Sequence, residues 1–109
     1  MSDRALIEAL TARLGAGALR TDEDARALAA SDLYMTGERP AAVVVPADAA
    51  QVAEAIRVAA ALGYAVVPRG GGLSYTGGYA PPCAKAITID MRAMNRILDI
   101  AEEDMVITV

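Results

Sequence analysis

Apolar residues recur along the chain with two different periods, and the changes of period divide it into elements. Leu6, Ile7, Leu10 and Leu14 share one face of a helix that Ser2 or Asp3 can cap and that Gly15 and Gly17 end. Thr21 followed by Asp24 has the spacing of a capping box, with Asp for the usual Glu, and predicts a second helix to about Ala30. From Ser31 to Arg39 neither period holds, and the segment reads as a loop.

The next stretch is better defined. Ala42 to Val45 is a short β-branched run closed by Pro46. Asp48 and Gln51 form a capping box for a helix of about Ala49 to Leu62. Its expected buried stripe is Val52, Ala55, Ile56, Ala59 and Ala60, and Gly63 stands where a C-terminal cap belongs. Tyr64 to Val67 predicts a second strand. Two strands joined by a helical crossover of this length run parallel, which makes a βαβ unit. Ala86 to Asp90 predicts a third strand, and Met91 to Asn95 a tight turn or single helical turn with Asp90 as its cap. Arg96 to Ala101 and Met105 to Val109 flank the acidic turn Glu102, Glu103, Asp104 as a hairpin. The fold class is therefore α/β (α+β overall), a small parallel βαβ lobe with flanking helices and a C-terminal hairpin.

Composition narrows the picture. The chain has 109 residues, one domain at most, and 55% of them are apolar, yet only 4% are aromatic, with no Trp and no Phe. Its core must be built from Val, Ile, Leu, Met and Ala, with Met91, Met94 and Met105 as expected fillers. A net charge of −4, with Lys85 the only lysine and the arginines scattered, argues against a nucleic-acid partner. No stretch approaches the ~18 consecutive apolar residues of a membrane span, and the opening MSDRALIEAL is no secretory signal. The single cysteine, Cys83, rules out an internal disulfide framework and fits a reducing, cytoplasmic setting. With no histidine, His-based triads and His-ligated metals are excluded within this chain. The acidic turn at 102–104 reads as solvated, and no metal site is expected. Val106 to Val109 form an apolar strand without a polar tail, as expected of a piece of a longer chain; a short protein that covers this strand, or self-associates through the sheet edge, is the alternative.

Chemistry concentrates in PRGGGLSYTGG, Pro68 to Gly78. Gly70, Gly71 and Gly72 remove every Cβ from one side of the loop, so successive amides can converge on an anion. Ser74 and Thr76 add hydroxyls, Arg69 adds the loop's one positive charge, and Gly77 and Gly78 let the chain turn back past the same ligand. A Walker A loop is excluded because Gly78 occupies the lysine position. A Rossmann fingerprint fails because the loop follows the second strand and leads into another strand. The residues alone support an anion or nucleotide loop, or a flexible surface connection. Tyr75 and Tyr79 read as packing residues of the loop rather than stacking partners.

The segments RPAAVVVPADAAQVAEAIRVAAALGYAVVPRGGGLSYTGG and AITIDMRAMNRILDIAEEDMVITV resemble the N-terminal part of the FAD-binding (PCMH-type) domain of the vanillyl-alcohol oxidase and p-cresol methylhydroxylase superfamily. Within it they look most similar to the glycolate oxidase and D-lactate dehydrogenase-like FAD-linked oxidases. The resemblance runs from about Thr21 to Val109. The N-terminal helix, over 1–20, lies outside it; the resemblance implies an incomplete FAD-binding lobe over 21–109, with a second lobe and a substrate domain elsewhere. It implies that Pro68, Arg69, Gly70, Gly71, Gly72, Leu73 and Ser74 line the FAD pyrophosphate, that Gly77 and Gly78 close the loop, and that Pro46 approaches the adenine side. Some members attach flavin through a histidine at the position of Leu73, so noncovalent FAD is implied here. The implied activity of a parent protein is oxidation of a 2-hydroxy acid or similar alcohol, with no catalytic residue in this chain. A stand-alone α/β binding module without catalysis is the alternative.

Overall fold

The computed structural model describes residues 2–109. Helix α1 (Arg4–Leu14) buries Leu6 and Leu10 completely. Ser2 caps it through Oγ, which accepts from the Arg4 amide, whereas the Asp3 carboxylate accepts from the Tyr64 hydroxyl. A two-residue strand, β1 (Leu19–Arg20), precedes α2 (Glu23–Ala29). The cap of α2 is Asp22, whose carboxylate accepts from the Ala25 amide at 3.0 Å. The Thr21 box is thus displaced by one residue in favour of the stronger, charged acceptor.

Strands β2 (Ala42–Val44), β3 (Ala65–Arg69) and β4 (Ala86–Asp90) run parallel, and β1 adds antiparallel to β2, giving the order β1-β2-β4-β3. The βαβ unit is therefore split: β4 inserts between the two strands that helix α3 (Ala49–Ala61) connects. Being central, β4 is buried at all five positions. The capping box of α3 forms, with Asp48 Oδ1 accepting from the Gln51 amide and Gln51 Oε1 accepting from the Ala47 amide.

Side chains alternate across the sheet. Ala42, Val44, Ile87 and Ile89 face α1 and α3, where they pack with Leu6, Leu10, Ala55 and Ala59 into the main core. The buried stripe of α3 runs through Val52, Ala55, Val58 and Ala59; Ile56 and Ala60, expected inside, are exposed. The stripe is turned because α1 covers one flank of α3, whereas the flank carrying Ile56 is left exposed among the described residues. The opposite sheet face carries Val43, Val67, Thr88, Asp90 and Arg69.

A 3-10 turn, Met91–Ala93, follows β4, capped by Asp90, which accepts from the Arg92 amide. Strands β5 (Asp99–Ala101) and β6 (Val106–Thr108) pair antiparallel in a sheet of their own. Of the methionines expected inside, Met91 packs against the core, while Met105 is 93% exposed at a positive φ of 55° in the hairpin turn. A turn tip has no neighbouring layer to bury it. Among the described residues, no helix is long and apolar enough to cross a membrane.

Candidate functional site

The loop from Pro68 to Gly78 begins on the last two residues of β3, where Pro68 pairs with Ile89 and Arg69 with Asp90. Three parallel strands end there together. Ladder bonding stops at Arg69, and among the described residues the amides of Gly70, Gly71, Gly72 and Leu73 donate no hydrogen bond to the protein. Four consecutive donors at an exposed strand end, with no acceptor among the described residues, are left to solvent or to a ligand.

The glycines divide into two kinds. Gly72 (φ +81°) and Gly77 (φ +72°) occupy the left-handed region that side chains rarely adopt. Gly70 and Gly71 do not, and a Cβ built on either meets nothing within 4 Å. Within the triplet, positive φ is therefore confined to Gly72.

Downstream, the loop is braced by its own polar groups. The Ser74 amide donates to the Tyr79 hydroxyl at 2.5 Å, the Thr76 amide donates to Ser74 Oγ, and the two hydroxyls lie 3.0 Å apart. Arg69 does not reach out of the loop. Its guanidinium donates to the Ser31 carbonyl at 2.7 Å and lies over the Tyr79 ring, beside Gly72. Tyr79 is thus a packing residue, as expected, whereas Tyr75, expected to pack as well, projects from the surface at 72% exposed, as does Leu73 at 71%. Gly78 follows at the loop's exposed far end. Pro46 behaves differently from expectation: it is fully buried, two strands from the loop root or about 10 Å at ordinary strand spacing. Its ring offers a ligand no surface.

Beside the loop root, on the α2 face of the sheet, opens a cavity of about 650 Å³ whose rim includes Arg69, Asp90 and Arg92. Arg92 clamps Asp90 through Nε and Nη2, the latter at 2.7 Å. Burial pushes the Asp90 carboxyl up, but Arg92's hydrogen bonds and charge, with Arg69 behind, outweigh it and hold the pKa below the ordinary carboxylate value. Sequence reasoning saw Asp90 as a cap and missed this ion pair, although an Asp-x-Arg at a strand end was visible.

A segment that the sequence left as featureless is also part of the site. Ser31 and Thr36 form an isolated antiparallel bridge, closing a turn whose Leu33 amide donates to the Ser74 carbonyl at 3.1 Å. Further on, the Glu38 amide donates to the Pro81 carbonyl at 3.0 Å. The 31–38 segment therefore lines the back of the glycine loop from end to end.

Comparison with known proteins bears on what this arrangement holds. A family of FAD binding domains matches residues 40–109. The 1'-carboxy-chondrochloren decarboxylase of Chondromyces crocatus is 36% identical over 91 residues, covering 83% of this chain and 17% of that protein. Alkyldihydroxyacetonephosphate synthase superposes with a TM-score of 0.83 at 22% identity, over 96% of this chain and 23% of that one. A p-cresol methylhydroxylase structure with substrate bound superposes with a TM-score of 0.74 at 18% identity, over 90% and 20%. At these identities the superpositions establish the fold. The chain spans about a fifth of the length of each of these proteins.

Proposed function

Because the chain belongs to the family of FAD-binding domains, we propose that it supplies the phosphate-holding part of a flavin-linked oxidoreductase, with Pro68 to Gly78 gripping the FAD pyrophosphate. FAD is the family's cofactor, and unpartnered amides beside residues without Cβ atoms suit a diphosphate. The observation that carries this reading is the row of unpartnered amides from Gly70 to Leu73 at the carboxyl ends of three parallel strands. Gly70 and Gly71, without Cβ atoms, let the two phosphates approach those amides closely, and Gly72 turns the chain inward at positive φ. Ser74 and Thr76 stand next in line as hydroxyl donors. Arg69, already engaged with Ser31 and Tyr79, contributes its charge to the field and shapes the loop from beneath. When bound, flavin supplies the two-electron chemistry, and this chain contributes position and electrostatics.

Leu73 carries no nucleophile, so this position of the loop forms no covalent bond to flavin, and noncovalent binding is the reading proposed. The proposed parent reaction is oxidation of a 2-hydroxy acid or similar alcohol, a reading that rests on the resemblance of the sequence to the glycolate oxidase-like oxidases. The similar proteins bear the names of a decarboxylase, a synthase and a methylhydroxylase, so the reaction is set by residues other than this loop. Expression of the complete reading frame tests the proposal. The purified protein should be yellow, acid precipitation should release the flavin into the supernatant, and a 2-hydroxy acid should bleach it without oxygen. A colourless protein refutes the loop reading; flavin that stays in the pellet refutes noncovalent attachment.

A further inference from the structure

The turn behind the glycine loop is organised around one carboxylate. Asp32 Oδ1 accepts from the Tyr34 amide at 2.7 Å and from the Met35 amide at 2.9 Å. Its second oxygen, Oδ2, is buried and closes no hydrogen bond of its own. Burial pushes this carboxyl's pKa up, yet the Met35, Tyr34 and Gly77 amides and the Arg69 guanidinium together bring it below the ordinary carboxylate value. The turn it organises meets both ends of the glycine loop, Arg69 at its root through Ser31 and Gly77 at its far rim through Met35. Around them, Arg69 donates to the Ser31 carbonyl, Leu33 donates to the Ser74 carbonyl, and the Met35 thioether packs where a Gly77 side chain would stand.

We propose that Asp32 is a positioning residue for the cofactor loop: its charge gathers the Arg69 guanidinium and the Gly77 rim onto the 31–36 turn, so that the amides between them are presented already converged. This rests on the loop holding the FAD diphosphate. A buried carboxylate oxygen without a bond is costly if it serves only its own turn, because Oδ1 alone satisfies Tyr34 and Met35. The cost is offset where the turn it shapes holds the neighbouring loop, through Ser31 to Arg69 and Leu33 to Ser74. Asp32 touches no phosphate in this arrangement. Its negative charge would repel one, so its effect must pass through the loop.

Asp32→Asn separates a local role from this one. It leaves Oδ1 to accept from Tyr34 and Met35, but it replaces Oδ2 with an NH2 donor that opposes both the Gly77 amide and Arg69. Asp32→Ser, with a shorter acceptor and no charge, is the second variant. Amide hydrogen exchange on the 109-residue chain reads the loop directly. Both variants should speed exchange at Leu33 and Ser74 by about tenfold, the scale of a lost charge-assisted contact, with β4 amides unchanged and, in Asp32→Asn, Tyr34 and Met35 unchanged. FAD affinity of protein expressed from the complete reading frame should fall by a similar factor, with Gly71→Val as the comparator. If Gly71→Val loses flavin while both Asp32 variants keep wild-type exchange and affinity, the loop reading stands and the positioning role is overturned. If the Asp32 variants loosen the loop and Gly71→Val retains full flavin, the loop does not hold the cofactor and the role assigned to Asp32 falls with it.

Discussion

Gly71→Val should separate folding from cofactor binding, because the fold gives no reason for a glycine at that position. Its φ lies outside the left-handed region, and a Cβ there would meet no atom within 4 Å. The unfolded chain loses freedom when glycine is replaced, so stability should stay the same or rise by up to about 1 kcal/mol. On the proposed reading the isopropyl group would instead occupy open space beside the loop that the diphosphate needs. Hydrogen bonds to a charged acceptor contribute about 1.5 to 3 kcal/mol each. Losing two of them weakens FAD binding by roughly 3 to 6 kcal/mol, about two to four powers of ten. Urea unfolding of the 109-residue chain gives the first quantity. Flavin content and FAD titration of protein from the complete reading frame give the second. Destabilisation by more than about 1 kcal/mol would show that Gly71 serves the fold, and flavin retained at wild-type affinity would show that the amides do not face the diphosphate. Either result refutes the argument.

Gly37→Ala should behave in the opposite way, because its Cβ would be driven into the Pro81 carbonyl and stand 3.2 Å from the Ala80 backbone; a cost of about 1 to 3 kcal/mol in urea unfolding is expected. Thr88 is completely buried with no partner for its hydroxyl, so Thr88→Val should leave stability unchanged or raise it by about 1 kcal/mol. The Tyr64 hydroxyl donates to Asp3 at 2.6 Å, and this bond, with burial and the Asp3 charge, pushes its pKa up to about 12 from 10.0. A folded-state pKa raised above the unfolded one gives stability that is fully present below pH 10 and lost as pH climbs through 12. Thermal melts across that window should show the decline, and Asp3→Asn should move it to lower pH. In the 109-residue chain the β5–β6 hairpin, paired only with itself and exposing Ile100, Val106 and Ile107 at 51–60%, should exchange its amides far faster than β4.

The parallel lobe was legible because each of its elements carries its own signal. The Asp48–Gln51 box fixes where α3 begins, Gly63 fixes where it stops, and β4 was read to its exact residues because five consecutive positions, Ala86 to Asp90, are buried on both faces. Strand order was not legible. Nothing in a βαβ pattern says that a third strand will enter between the first two, since that choice depends on which edge buries more. Two-residue β1 was missed because Leu19–Arg20 is too short to show a period, and it exists through its pairing with Val43 and Val44. Met105 was placed inside by residue type and Ile56 by helical spacing, but neither reveals whether a second layer covers the position.

At the site, the glycine loop announced itself by composition, yet composition could not sort its glycines. Gly72 and Gly77 satisfy the backbone, whereas Gly70 and Gly71 satisfy nothing within the chain, and only the backbone angles and the emptiness around them tell the two apart. The 31–38 segment was unreadable for a different reason. Its bonds run from Leu33 to Ser74, from Ser31 to Arg69 and from Glu38 to Pro81, each spanning about forty residues. Such contacts leave no periodic trace, and an Asp followed by Leu, Tyr and Met looks like any polar turn. Yet the loop's amides are useful only if they converge before the ligand arrives, since ordering a glycine-rich segment on binding would consume much of the affinity they supply. The rigidity of the visible motif therefore comes from residues that carry no motif. A substitution in the 31–38 turn should weaken FAD binding through the loop it supports.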